Sequence, residues 1–297
     1  MRLLIYEWSC SGGLAGPDRR AVIGDAAEEP LAREGRGMFQ SLAADAVRAG
    51  DLEVVALVDT ARPAELPPRA RRVGVAAGAE IEALVAAARD ADAAIIVAPE
   101  TAGVLAARVA TVRAAGGRVL APDDDVIRVA TDKQATIDVL AAAGVPVPAG
   151  RSLAAGEPWP ASFIRPAVRK ARASTGCDGV VIVRAGDPLP VPAPLATRIE
   201  ALCAGTAVGV SCLLGPRRIV PVAALVQRFS AGPVPAYLGG EPLPSDAERM
   251  RAERLAMRAI QALLRRAGGE SAAGWVGVDM ILGDAADGGD DRVLEVN

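Results

Sequence analysis

Trp275–Asn297 reads WVGVDMILGDAADGGDDRVLEVN. Two apolar runs, Trp275–Leu282 and Val293–Val296, flank a Gly/Asp-rich turn over Asp284–Asp291. Apolar runs separated by turn chemistry predict a β-hairpin. Side chains alternate along a strand, so Asp279 shares a face with Trp275, Gly277 and Ile281. Glu295 and Asn297 share a face of the partner strand for the same reason. If the two faces coincide, two carboxylates and an amide oxygen converge. Hard oxygen donors suit Mg²⁺, which keeps several waters and takes the rest of its shell from substrate phosphates. The plain alternative is a hairpin with scattered acids at its ends. The turn acids Asp284, Asp287, Asp290 and Asp291 are expected to be solvated.

Outward from the hairpin, 297 residues are enough for two or three domains with sizeable cores. Hydrophobic residues make up 51% but aromatic ones only 3%, so the cores must rest on Ala, Val, Leu and Ile. A formal charge of -3 gives no reason to expect nucleic acid or an anionic membrane as a partner. The opening MRLLIYEW reaches an acid at Glu7, which argues against a signal peptide, and no apolar run has membrane-spanning length. Cys10, Cys177, Cys203 and Cys212 form no CxxC pair, and scattered cysteines fit a reducing cytoplasm. The chain contains no histidine. A His-based triad, His acid–base chemistry and His-containing zinc sites are therefore excluded. Catalysis is left to carboxylates, lysines, hydroxyls, thiols, backbone amides or an oxygen-bound metal.

In the first 122 residues strands alternate with helices. Arg2–Tyr6, Leu52–Val58, Ala93–Ala98 and Arg118–Ala121 are short apolar strands, and Leu31–Ala49, Ile81–Arg89 and Val104–Ala115 have helical character. This alternation implies βαβ units and a parallel sheet, hence a Rossmann-like domain. Such sheets bind ligands beyond the carboxyl ends of their strands, where Glu7, Asp59 and Glu100 fall. The small-residue turn Ser9–Gly13 lies there too. Backbone N–H groups of Ser11, Gly12 and Gly13 are candidates to hold a substrate carboxylate, and Glu7 or Glu100 to hold an ammonium group. The alternative is that these residues cap turns and that Gln227 and Tyr237 build the substrate pocket.

Pro122 and Asp123–Asp125 mark a boundary. Thr131–Ala143 predicts a helix with Lys133 in its first turn. A cation there opposes the helix dipole, which an anionic ligand would justify, although a surface lysine is the plainer explanation. Pro166–Val183, PAVRKARASTGCDGVVIV, predicts strand, flexible loop, strand. Lys170 stands where the first strand gives way to Ser174, Thr175 and Gly176, whose small side chains let backbone N–H groups approach phosphate oxygens. The stretch is not a P-loop, and a surface hairpin with one lysine is the alternative. A hairpin over Val208–Leu225, a Gly/Pro-rich loop over Pro233–Pro244 and a long amphipathic helix over Ala247–Ala267 lead into the terminal hairpin.

In this order the parts resemble the ATP-grasp superfamily over nearly the whole chain. The resemblance implies an ATP-grasp fold, α/β and α+β. A Rossmann-like pre-ATP-grasp domain would occupy residues 1–122, a small lobe with the phosphate loop 123–195, and a C-terminal lobe with the metal site 196–297. It also implies that Lys133 and Lys170 bind nucleotide phosphates with Ser174, Thr175 and Gly176. Leu202 and Cys203 would then lie against the adenine, and Asp279, Glu295 and Asn297 would hold Mg²⁺. IYEWSCSGG, EGRGM at Glu34–Met38, APE at Ala98–Glu100, ATDK at Ala130–Lys133, YLGG at Tyr237–Gly240 and GWVGVDMIL look like the tyramine–L-glutamate ligase type, known from methanofuran-like cofactor biosynthesis.

Three departures stand out. Ala171, Ala173 and Ser174 replace the Pro, Asp and first Gly of the family's Lys-Pro-x-Asp-Gly-x-Gly loop. Ile199–Ala204 lacks the family's Gln-Glu or Gln-Pro hinge. The family continues Asn-Pro-Arg where this sequence ends at Asn297, so the arginine expected to help bind the transferring phosphoryl group is not in it.

The resemblance therefore implies a cytoplasmic ATP-dependent carboxylate–amine ligase with ATP and Mg²⁺ as cofactors. Its expected partners are small molecules, glutamate and a tyramine-like amine, and at most a second copy of the chain as a homodimer. Phosphoryl transfer needs positioning and charge neutralisation, which two lysines and Mg²⁺ supply without histidine. No base for the amine is evident, and the departing phosphate can take its proton. The alternatives are a ligase for another acid and amine, or a catalytically silent nucleotide-binding scaffold.

Overall fold

The computed structural model describes residues 1–24, 28–174, 177, 179–216, 218–266 and 273–297. Thr175 and Gly176, expected in the phosphate loop, lie outside the described residues. The chain forms two compact units, Met1–Asp124 and Asp125–Asn297.

The first unit holds a parallel sheet of β1 (Arg2–Glu7), β2 (Glu53–Asp59), β3 (Arg71–Val75) and β4 (Ala93–Val97), in the order β3-β2-β1-β4. Its helices are α1 (Arg19–Ile23), α2 (Glu29–Arg48), α3 (Glu80–Asp90) and α4 (Val104–Ala114). On α2, Phe39, Ala43 and Ala46 pack on Leu3, Ile5, Val54, Ala56 and Val58 of one sheet face. Leu4, Tyr6, Val55 and Leu57 of the other face are buried as well. Burial on both faces is why β1 and β2 read as apolar runs without alternation. The strand expected at Arg118–Ala121 is reduced to one parallel bridge between Ala94 and Val119. Conversely β3 went unexpected, because only Val75 of its five residues is buried and no apolar pattern marks it.

The second unit begins with α5 (Asp124–Thr131) and α6 (Lys133–Ala142). The helix expected over Thr131–Ala143 is α6, which starts at Lys133 because Asp132 before it has an extended backbone and its carboxylate accepts the N–H groups of Gln134 and Ala135 as an N-cap. An antiparallel sheet follows from β5 (Gly150–Leu153), β6 (Ala167–Ala171), β7 (Val181–Val183) and β8 (Thr197–Ala201), in the order β5-β8-β6-β7. The strand β8 sits between β5 and β6, so this sheet runs on to Ala201, past the boundary expected at residue 195.

A five-stranded antiparallel sheet completes the unit. It contains β9 (Thr206–Gly215), β10 (Arg218–Phe229), β11 (Tyr237–Pro242), β12 (Gly274–Leu282) and β13 (Arg292–Val296), in the order β11-β10-β9-β12-β13. Tyr237–Pro242, expected within a loop, is thus an edge strand. Helix α7 (Asp246–Arg266) lays Leu255, Ala256, Ala259, Ile260 and Leu263 on Val208, Val210, Val276, Val278 and Met280. Val126, Leu140 and Val145 join the same core, so the α5–α6 segment packs with this sheet. Among the described residues no helix is long and apolar enough to cross a membrane.

Candidate active site

Alternation along β12 buries Val276, Val278, Met280 and Leu282 and leaves Gly277, Asp279 and Ile281 on the opposite face. Asp279 is the direct cross-strand partner of Glu295, and the register then shifts so that Met280 faces Val293. Leu294 is the extra residue of this β-bulge. Asn297 exchanges two backbone hydrogen bonds of 2.9 Å with Gly277, and its Nδ2 donates to Asp279 Oδ2 at 3.0 Å. Asp279, Glu295 and Asn297 therefore stand on one face. Burial and the adjoining Glu295 carboxylate push the Asp279 carboxyl up to about 7, against the pull of two amide donors. Adjoining acids of this kind favour a cation. The donors are all oxygen, and among the described residues no group of three or more Cys, Asp or Glu is placed to hold a metal alone. Two carboxylates and an amide thus fit Mg²⁺, with phosphate and water completing its shell.

Both expected lysines reach this strand. Lys133 is buried at the start of α6; its Nζ lies 3.2 Å from Glu295 Oε2 and donates to the Ser174 carbonyl oxygen at 2.7 Å. Its backbone N–H also donates to Arg172 O, so Lys133 holds the segment after β6 at two points. The buried Ser174 hydroxyl oxygen has no protein partner among the described residues.

Lys170, expected at the edge of a flexible loop, is instead buried in β6. Its Nζ donates to Leu294 O at 3.1 Å and pairs with Glu200 Oε1 at 2.8 Å. Glu200 and Arg198 are functional candidates the sequence pattern did not reveal. Arg198 Nε meets Glu200 Oε2 at 2.7 Å, and the same guanidinium reaches Gln134 Oε1 and Pro148 O. Arg198 and Glu200 are two apart on β8, and that period-2 spacing was the available signal.

Gln227, expected against substrate, donates its Nε2 to Asp279 Oδ1 at 2.8 Å. Asp291, expected to be solvated, is buried; its carboxylate lies 3.1 Å from Arg251 Nε and accepts the Gly283 N–H. Asp284, Asp287 and Asp290 are exposed as expected. Leu202 and Cys203 follow β8, where the Leu202 N–H donates to Pro166 O. Cys203 borders a cavity of about 240 Å³ with Ala204, Asp284, Asp290 and Arg292.

In the first unit the Glu7–Gly13 turn closes on itself. Glu7 is buried and accepts from the Ser9 hydroxyl at 2.7 Å and the Cys10 N–H at 2.8 Å. The Ser11 N–H donates to Glu7 O and the Gly13 N–H to Trp8 O. The Ser11 and Gly13 amides of the expected carboxylate cradle are thus committed within the turn, and Glu7 organises its own loop. Gly12 sits at φ 99°, a left-handed conformation that favours glycine. Glu100 is half-buried and starts the short 3-10 turn after β4.

A family model described as a pre ATP-grasp 3 domain matches residues 52–127, and one described as an ATP-grasp domain matches residues 130–297. The second model covers more than half of the chain and defines its class, proteins built on an ATP-grasp domain. The chain belongs to the ATP-grasp family.

Among solved structures, an ATP-grasp superfamily protein of Archaeoglobus fulgidus has a TM-score of 0.72 at 19% identity, covering 100% of this chain and 80% of that one. The D-alanine–D-alanine ligase of Bacillus anthracis complexed with ATP has a TM-score of 0.59 at 16% identity, covering 100% and 86%. An L-amino acid ligase of Bacillus licheniformis has 0.61 at 14%, covering 100% and 66%. At these identities the likeness is one of fold. No curated protein sequence matches the chain.

Proposed function

We propose that the chain joins a carboxylate to an amine at the expense of ATP, with glutamate as the acid and a tyramine-like amine as the acceptor. The observation that carries the ligase reading is the convergence of Lys133 and Lys170 on β13, one on Glu295 and the other on Leu294 O. Two buried ammonium groups beside paired carboxylates form a site for a metal-bound polyphosphate. Asp279, Glu295 and Asn297 would hold Mg²⁺, which when bound neutralises phosphate charge. The lysines hold phosphate oxygens in line with the acid. A carboxylate oxygen of the acid attacks the γ-phosphorus, and ADP departs. The amine then attacks the acyl carbon, the C–O bond to phosphate breaks, and phosphate leaves with the amine's proton.

The glutamate and tyramine assignment rests on the sequence stretches shared with that branch. One of them has a structural reason. Gly35 of EGRGM lies under Glu7 of IYEW, where a Cβ would come within 2.5 Å of Glu7 Oε1. The four cysteines are free thiols, which suits the proposed cytoplasmic setting.

The test is turnover with ATP, Mg²⁺ and glutamate, with and without tyramine. ADP, phosphate and a glutamyl amide of matching mass should form together, and hydroxylamine should trap the acyl phosphate as a hydroxamate. ADP formation that needs no amine, or none with any amino acid and amine, overturns the ligase reading. Turnover with another pair overturns only the substrates.

A further inference from the structure

Gln227 lies on β10 and Asp279 on β12, with β9 between them. A side chain on β9 would normally separate residues on strands two apart. Here the intervening residue is Gly209, the direct partner of Asp279 on one side and of Leu225 on the other. A Cβ built on Gly209 would lie 2.8 Å from Gln227 Nε2 and 3.2 Å from Asp279 Oδ1. The bare glycine opens a window through which the amide of Gln227 reaches the carboxylate.

Asp279 accepts one amide N–H on each oxygen, Gln227 Nε2 on Oδ1 and Asn297 Nδ2 on Oδ2. An ionised carboxylate only accepts, so both amides must turn their NH₂ groups toward it. Asn297 Oδ1 is thereby freed, and each Asp279 oxygen keeps lone-pair capacity for a cation. Glu295 gives Oε2 to Lys133 and retains Oε1. The arrangement fixes the rotamer of Asp279 and the aim of four oxygen atoms.

From this we infer that Gln227 is a positioning residue for the metal site, acting through Asp279 and not on the acid or amine, and that Gly209 exists to let it do so. The inference rests on the assignment of Asp279, Glu295 and Asn297 to Mg²⁺. Outer partners that orient metal ligands typically change metal affinity by about 10–100-fold when removed.

Two variants test it. Gln227→Leu removes the donor at similar volume. Gly209→Ala leaves Gln227 intact but closes the window, and its contact is the movable end of a side chain, so the sheet tolerates it. Mn²⁺ binding to the full-length protein loaded with a non-hydrolysable ATP analogue is followed by electron paramagnetic resonance, which requires no turnover. Both variants should weaken Mn²⁺ binding by roughly 10-fold or more. In turnover they should raise the Mg²⁺ concentration for half-maximal rate and leave the KM of the acid unchanged at saturating Mg²⁺. Unaltered Mn²⁺ binding in Gln227→Leu, or a rise confined to the KM of acid or amine, overturns the inference. If the parent binds Mn²⁺ but turns over no substrate, the ligase reading fails while this one stands.

Discussion

Lys133 Nζ lies 3.2 Å from Glu295 Oε2, joining the first residue of a helix to a carboxylate of β13 162 positions later. The lysine is almost wholly buried and the glutamate largely so, at 4% and 18% exposure of their side chains. Such a pair holds itself together without ligand and offers both charges to one. A metal would draw on Glu295, and a phosphate would then take the ammonium group.

Replacing Lys133 with Met leaves Glu295 beside Asp279 without its cation. Breaking a buried pair from one side costs on the order of 3 kcal/mol. Lys133→Met should lower the denaturant midpoint accordingly, and Mg²⁺ should recover part of the loss by supplying positive charge. Calorimetry should show weaker binding of ATP. Unchanged ATP affinity would remove Lys133 from the phosphate site.

Lys170 and Glu200 should be energetically coupled. Lys170→Met strands one oxygen of Glu200, and Glu200→Gln takes the opposite charge from the Lys170 ammonium group, which keeps Leu294 O. Contacting residues in one network show interaction energies of roughly 0.5–3 kcal/mol. The double variant should therefore lose less stability than the sum of the single losses, as read from urea unfolding. Strict additivity would mean the pair contributes nothing beyond its separate contacts.

Asp132 should make stability sensitive to acid. Burial alone would raise its carboxyl, but the Arg172 guanidinium and the N–H groups of Ala135 and Gln134 prevail and hold it below its ordinary 3.8. A group depressed on folding stabilises the protein above its unfolded value, and that contribution is lost as pH falls through the folded one. Asp132→Ala should cost about 1 kcal/mol at neutral pH through the lost cap. The variant's deficit should shrink below pH 3.8. A deficit constant down to pH 2 would contradict the assignment.

Gly35→Ala should damage the first unit. Its Cβ would fall 2.5 Å from both Glu7 Oε1 and Ser9 Oγ, inside a buried loop with little room to yield. Overpacking of this kind costs typically about 1–3 kcal/mol. Thermal unfolding should show the loss. An equally stable variant would mean that the Glu7–Gly13 turn relaxes freely.

The terminal hairpin, the face shared by Asp279, Glu295 and Asn297, and the alternating architecture of the first unit were legible in sequence. Strand and helix periodicities are local, and two residues of spacing suffice to place side chains on a face. Local pattern also marked Lys133 and Lys170 as unusual cations. It could not say where their charges go. Lys170 passes for a loop lysine because Glu200 and Leu294, its partners, lie 30 and 124 positions away. Asp132 passes for an ordinary helical residue until Arg172, just past the end of β6, joins it. The edge strands Arg71–Val75 and Tyr237–Pro242 carry few buried side chains, so only pairing to a neighbour makes them strands. Gln227 and Gly209 gain meaning only when three strands lie side by side. The sequence by itself determined which residue types were present and which faces they took. Tertiary structure alone decided which charges and amides meet, because those contacts join segments that only folding brings together.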